Sequence, residues 1–206
     1  MKIVKFQIGP MRANSYLAFS EASNSAILID AGGNYPKIQS IAHENGVKIE
    51  HLLLTHGHFD HIGAVKKLQD DGVKVYMHTN DVDKVTTDKS LCGLTHLNID
   101  KFTPDILVWD GDRLELSGLT VEVIHTPGHT SGGVCYLIGE HLFSGDTIFH
   151  GSFGRVDLGD GNIRALRDSI VGKVFTLPDN TIIHPGHEDD TSVKYEKEYN
   201  PIYYYG

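Results

Sequence analysis

Residues Thr55 to His61 read Thr-His-Gly-His-Phe-Asp-His and follow directly on an apolar run, His51 to Leu54. A run that is apolar on both faces belongs in the interior of a covered sheet. The polar string that ends it therefore stands at a sheet edge, on a strand-to-helix turn. His56, His58, Asp60 and His61 can then aim their donors at one small volume, and Gly57 lets the turn tighten. Imidazole and carboxylate donors suit zinc, iron or manganese. The absence of neighbouring thiolates argues against a structural cysteine-type zinc site.

Three more segments repeat the arrangement. The run Leu119 to Ile124 leads into His125-Thr126-Pro127-Gly128-His129, and His141 to Phe143 leads into Ser144-Gly145-Asp146. Thr181 to Ile183 leads into His184-Pro185-Gly186-His187. Each is a strand followed by a turn that carries a metal-type ligand, and the C-terminal strand edge is where ligand sites assemble in layered α/β proteins. One such histidine would be read as structural. Repeated delivery at the same kind of position predicts a metal centre.

Around these segments, strand-type and helical patterns alternate. Lys2 to Ile8, Ser15 to Phe19, Ser25 to Ile29 and Val73 to Met77 read as strands, as do Ile106 to Val108, Arg113 to Leu116 and Val134 to Ile138. Helices are predicted over Pro36 to Asn45, Ile62 to Gln69 and Ile163 to Phe175, the last with Asn162 as its N-cap. No linker, low-complexity tract or repeat divides the 206 residues, so a single α/β domain spanning 1–206 is expected. The polar stretch Asn80 to Thr103 has the length and composition of a loop overhanging a site.

Charge and composition remove several function classes. Lys plus Arg total 18 against 27 Asp plus Glu, a formal charge of −9 with no basic cluster, which disfavours a nucleic-acid partner. The apolar runs are strand-sized, and the N-terminus lacks a signal-type stretch, so neither a membrane span nor secretion is expected. Cys92 and Cys135 stand alone, outside any C-x-x-C arrangement, and are expected to be buried apolar residues in a cytoplasmic protein.

The order His-x-His-x-Asp-His, then a separate His, Asp and final His, resembles the metallo-β-lactamase superfamily. Asp30, in the turn Ile29-Asp30-Ala31-Gly32, matches that family's early aspartate. The resemblance runs from this turn to His187. It implies a four-layer αββα sandwich with two divalent metal ions at one edge, zinc first, with iron or manganese as alternatives. By that resemblance His56, His58 and His129 hold one metal, and Asp60, His61 and His187 hold the other. Asp146 bridges them, Asp60 also orients the attacking hydroxide held between the metals, and Asp30 fixes a ligand histidine from outside.

Within the superfamily, Gly145-Asp146-Thr147-Ile148-Phe149, then Gly151-Ser152-Phe153-Gly154-Arg155-Val156-Asp157, looks like the glyoxalase II group. The closest likeness is to short forms without the C-terminal helical domain. This implies a hydrolase of a small thioester, with Arg155 at the position that contacts the glutathionyl part. Position 189 is Asp, where classical members carry Tyr. His58 stands where the oxygen-reducing di-iron branch has Glu, which sets that branch aside. A persulfide dioxygenase using one iron on His56, His129 and Asp146, and a lactonase, are the alternatives on the same scaffold. Metal-dependent nuclease activity is disfavoured by the charge, and a non-enzymatic metal-binding module is the reading from outside enzymology.

Other candidates carry less. His125 and His184 are expected to pack or to bond backbone, and His78, His96 and His150 to lie at the surface. Arg155 and Asp157 are equally readable as an ion pair. The Tyr203-Tyr204-Tyr205 tail is expected to pack on the body or on a neighbouring copy, so a homo-oligomer is left open.

Overall fold

The computed structural model describes residues 1–91, 93 and 98–205; Cys92 and His96 lie outside them. Two six-stranded sheets form the frame. The first takes β1 (Lys2–Ile8), β2 (Ala13–Phe19), β3 (Ser25–Ile29), β4 (Lys48–Leu53), β5 (Lys74–His78) and β6 (Ile106–Val108) in that order. Its first three strands pair antiparallel, and β3 through β6 are parallel.

The second sheet contains β7 (Arg113–Leu116), β8 (Leu119–His125), β9 (Val134–Ile138) and β10 (His141–Gly145). A small hairpin of β11 (Ile148–Phe149) and β12 (Ser152–Phe153) intervenes, and β13 (Ile182–Pro185) and β14 (Thr191–Ser192) complete the sheet. The order is β14-β13-β10-β9-β8-β7, with β10 and β13 parallel.

Three apolar clusters show how the layers stack. Between the sheets, Tyr16, Ile27, Leu53 and Tyr76 of the first meet Val121, Val123, Tyr136 and Phe143 of the second. On the outer face of the first sheet, Leu28, Leu52, Leu54 and Met77 receive Ile38 and Ala42 of α1 (Tyr35–Glu44) and Leu68 of α3 (Val65–Asp70). On the outer face of the second, Leu142 and Ile183 receive Leu166 and Ile170 of α5 (Ile163–Gly172) and Val193 of α6 (Val193–Tyr199). The result is an αββα sandwich. Leu52 and Leu53 are both fully buried on opposite faces of β4, which is why that strand lacks an apolar/polar alternation.

Local rules account for the outer layers. Asn34 accepts a bond from the backbone of Lys37 at the start of α1, and Asn162 does the same for Ala165 at the start of α5. The helix predicted over Ile62 to Gln69 is split into α2 (Phe59–Ile62) and α3. Gly63 packs so closely on the Gly32 turn that a Cβ there would stand 2.6 Å from the Gly32 carbonyl oxygen, and Ala64 N–H donates to Ala31 O at 2.8 Å. A tertiary contact has replaced helical bonding at that point. The stretch after β5 is not wholly irregular: it starts with a 3-10 turn at Thr79–Asp81 and α4 (Val82–Thr86). The C-terminal region, expected to be a polar tail, forms β14, α6 and a last turn, Pro201–Tyr204. Tyr203 packs on Phe175, and Tyr205 packs edge-on against Phe153. Among the described residues no helix is long and apolar enough to cross a membrane.

Candidate metal centre

The turns after β4, β8, β10 and β13 meet at one edge of the sandwich. His56, His58, Asp60 and His61 come from the first, His129 from the second, Asp146 from the third and His187 from the fourth. The structure brings all seven together. In the set His56, His58 and His129, and again in the set Asp60, His61 and His187, one donor atom per residue lies within 4.8 Å of the others. His56, His61 and Asp146 form a third such set that joins them. The Asp146 carboxylate lies between the two outer sets. Its Oδ2 is 3.5 Å from His129 Nε2 and 3.6 Å from His187 Nε2, and its Oδ1 is 3.4 Å from His61 Nε2.

The far nitrogens of three imidazoles are committed elsewhere. His61 Nδ1 donates to Asp30 Oδ2 at 2.8 Å, and His129 Nδ1 donates to the Arg155 carbonyl at 2.7 Å. The Thr55 hydroxyl donates to Asp30 Oδ2 at 2.7 Å, so its 3.0 Å contact with His56 Nδ1 must be donated by the imidazole. Each ring is thereby fixed in the tautomer that leaves Nε2 as a lone pair facing the centre. Asp30 is held for this task by Thr55 N–H on its Oδ1 at 2.8 Å, and it adopts a left-handed φ of 56°.

These residues fit a metal. His56 Nε2, His61 Nε2 and Asp146 Oδ1 are buried and have no hydrogen-bond partner. Leaving such groups unpaired costs about 1–3 kcal/mol each, whereas a cation at this edge satisfies them together. The charge balance points the same way. Burial opposes charge on His61, but Asp146, Asp60 and Asp30 outweigh it and push its pKa well above the usual histidine value, a surplus of negative charge that a metal cation here would balance. Burial and the neighbouring His61 and His58 hold His56 well below that value, and burial with His129 lowers His58 to about 4. Both are neutral at pH 7, the form in which an imidazole can ligate a metal. Burial alone would raise the Asp146 and Asp60 carboxyls, but the surrounding imidazoles hold both below the ordinary carboxylate range.

Backbone packing at the centre leaves little slack. A Cβ on Gly186 would stand 2.3 Å from Asp146 Oδ1 and 2.8 Å from His61 Cε1, so only glycine fits beside them. The centre opens into a cleft of about 420 Å³. Its walls include Met11, Phe59, Phe149, Phe153 and Leu158, with Arg155 at the rim. Those apolar positions could not be picked from the sequence, because they come from separate turns with no shared periodicity.

The remaining sequence candidates fall elsewhere. Arg155 and Asp157 form a two-bond ion pair at 2.7 and 2.8 Å. His125 Nε2 donates to the Ser131 carbonyl at 2.9 Å, and the ring stacks on His78. His78 is buried rather than superficial. His184 packs on Phe143, as expected, and bonds the side chains of Asp190 and His141. His150 is exposed and stacks on Tyr195, and Cys135 is buried with its thiol pushed up to about 11 by burial.

The family model of the metallo-β-lactamase superfamily matches residues 8–187. A Bacillus subtilis (strain 168) protein named as a probable metallo-hydrolase, YqgX, is 35% identical over 98% of this chain and 97% of its own length. The hydroxyacylglutathione hydrolase GloC of Haemophilus influenzae is 35% identical over 98% of both chains. Among solved structures, BLEG-1 B3 metallo-β-lactamase aligns with a TM-score of 0.91 at 33% identity, covering 97% of this chain and 98% of that one. TTHA1623 in a di-iron-bound form aligns at 0.87 with 33% identity, covering 96% and 98%. Fold, ligand geometry and these likenesses agree: the chain belongs to the metallo-β-lactamase superfamily.

Proposed function

We propose that this protein hydrolyses small thioesters at a two-metal centre, in the manner of the hydroxyacylglutathione hydrolases among its relatives. The observation that carries the reading is the convergence of seven donor side chains, three with orphaned buried atoms, on the floor of an open cleft. His56, His58 and His129 would hold one ion, Asp60, His61 and His187 the other, and Asp146 would contact both. Zinc suits this nitrogen and oxygen donor set; iron is the alternative, supported by the di-iron form of TTHA1623. Two such ions would supply a water acidified to a pKa of about 7 and a Lewis acid for a carbonyl oxygen.

The protein's own residues do the rest. Asp60, whose carboxylate is held ionised by His61 and His187, would ligate one ion and orient the attacking hydroxide. Asp30 keeps His61 and, through Thr55, His56 in the tautomers that ligate. The apolar wall of Phe59, Phe149 and Phe153 binds one half of the substrate and excludes water. Arg155 at the rim is placed to meet a carboxylate of the thiol half, exchanging with Asp157. A thiolate leaves without needing a proton, so no further general acid is required.

The test is a substrate panel on protein of measured metal content: a glutathionyl thioester, an ester of a smaller thiol, an acyl-lactone, and a persulfide with oxygen uptake recorded. Thioester turnover with about two metals per chain supports the proposal. Oxygen uptake on the persulfide with one iron per chain, and no thioester hydrolysis, contradicts it.

A further inference from the structure

Asp81 is fully buried, stands between β5 and α4, and is not a residue that the ligand pattern picks out. Although it precedes α4, its side chain makes no capping bond to that helix. It turns instead toward the metal-bearing loops. Its Oδ2 accepts Gly57 N–H at 2.9 Å and the Thr130 hydroxyl at 2.9 Å. Its Oδ1 accepts Gly132 N–H at 2.8 Å and lies 3.0 Å from Lys84 Nζ. Both carboxylate oxygens are thus saturated.

The partners share one property. Gly57 is flanked by His56 and His58, and Thr130 follows His129. These three histidines are one of the candidate ligand sets, and they come from two turns, after β4 of one sheet and β8 of the other. Among the described residues, Asp81 makes no bond to Asp60 or His61 on α2, or to the turn of His187. Lys84 completes the clamp. It is itself buried, pairs with Asp160 at 2.7 Å, and Asp160 in turn accepts Ser131 N–H at 3.1 Å. Packing against the clamp is tight: a Cβ on Gly57 would stand 2.8 Å from Lys84 Cβ, and one on Gly132 would stand 2.5 Å from Asp81 N. A buried carboxylate is costly unless paired and fully bonded, and here Lys84 pairs it while its three other bonds go to the two loops that must approach each other.

We infer that Asp81, neutralised by Lys84, is the positioning residue that registers the His56–Gly57–His58 turn against the His129 loop and so builds one of the two metal sites selectively. The inference rests on the two-metal reading and extends it: beside the Asp30 contacts that both sets share, the set His56, His58 and His129 has a brace of its own, so its ion can be weakened more than the other. Residues that orient metal ligands in this way typically contribute 10–100-fold to metal affinity.

The experiment titrates metal-free protein with zinc by calorimetry and counts bound zinc after desalting, for wild type and Asp81→Asn. The amide keeps the shape but places N–H groups against donors. Wild type is expected to hold two zinc ions. Asp81→Asn is expected to hold one at wild-type affinity and the second at least tenfold more weakly, with unchanged far-ultraviolet circular dichroism. Two ions at wild-type affinity in the variant, or equal weakening of both, would overturn the inference. If Asp81→Asn does not fold, Thr130→Val removes a single donor to the same carboxylate and is expected to weaken one ion only; unchanged binding of both overturns the inference equally. A wild-type count below two would contradict the two-metal reading itself, and the count does not depend on which substrate is turned over.

Discussion

Asp30 Oδ2 accepts from His61 Nδ1 at 2.8 Å in a fully buried pair. The same oxygen takes the Thr55 hydroxyl that orients His56, so one carboxylate governs the tautomers of two ligands. Asp30→Asn keeps the volume but loses an acceptor. The expected outcome is a 10–100-fold loss of metal affinity, with turnover partly restored by excess metal. Metal titration followed by assay at saturating zinc checks this. Unchanged affinity would contradict the role given to Asp30.

Gly186 supplies a steric counterpart. A methyl group there must displace Asp146 or His61. Gly186→Ala is expected to retain the fold and lose metal and activity together, read by elemental analysis alongside circular dichroism. Full metal content in a folded Gly186→Ala chain would count against the tight geometry described.

A pH effect is predicted away from the metal. Burial and the stacked His125 lower the His78 pKa to about 4, below its usual 6.5. The unfolded chain therefore binds the proton first as pH falls, and stability is lost between about 6.5 and 4. At pH 5 the loss from this group is about 2 kcal/mol relative to pH 8. In metal-free protein the fall in Tm from pH 8 to pH 5 should be smaller for His78→Gln than for wild type. Equal falls would contradict the assignment.

Arg155 is exposed and, among the described residues, pairs with exposed Asp157, so the solvent-screened pair contributes little stability. Arg155→Ala should leave Tm nearly unchanged. If the residue meets a carboxylate of the thiol half, KM for a glutathionyl thioester rises about tenfold or more, while an uncharged thioester is unaffected. A change in Tm without a change in KM would mark the pair as structural.

The ligand residues were legible because each stands at the end of a strand whose apolar run marks it as buried. The αββα layering followed from the resemblance, and the doubly apolar β4 pointed independently to a covered sheet. Other features left no local trace. The break between α2 and α3 is imposed by the Gly32 turn, remote in sequence, so the periodic pattern reads straight through it. The β11–β12 hairpin has two-residue strands, too short for any alternation to register. Asp81 was illegible for a related reason: three of its four donors are backbone N–H groups or a hydroxyl from remote loops, and only the folded chain brings them to a solitary aspartate in a polar stretch.

The central claim, that distant side chains form one metal centre responsible for hydrolysis, is tested most directly by metal content and thioester turnover of His56→Ala and Asp146→Ala beside wild type. The account predicts about two metals and turnover in wild type, with both measurements collapsing in each folded variant. A folded variant that keeps wild-type metal content or wild-type turnover would contradict it.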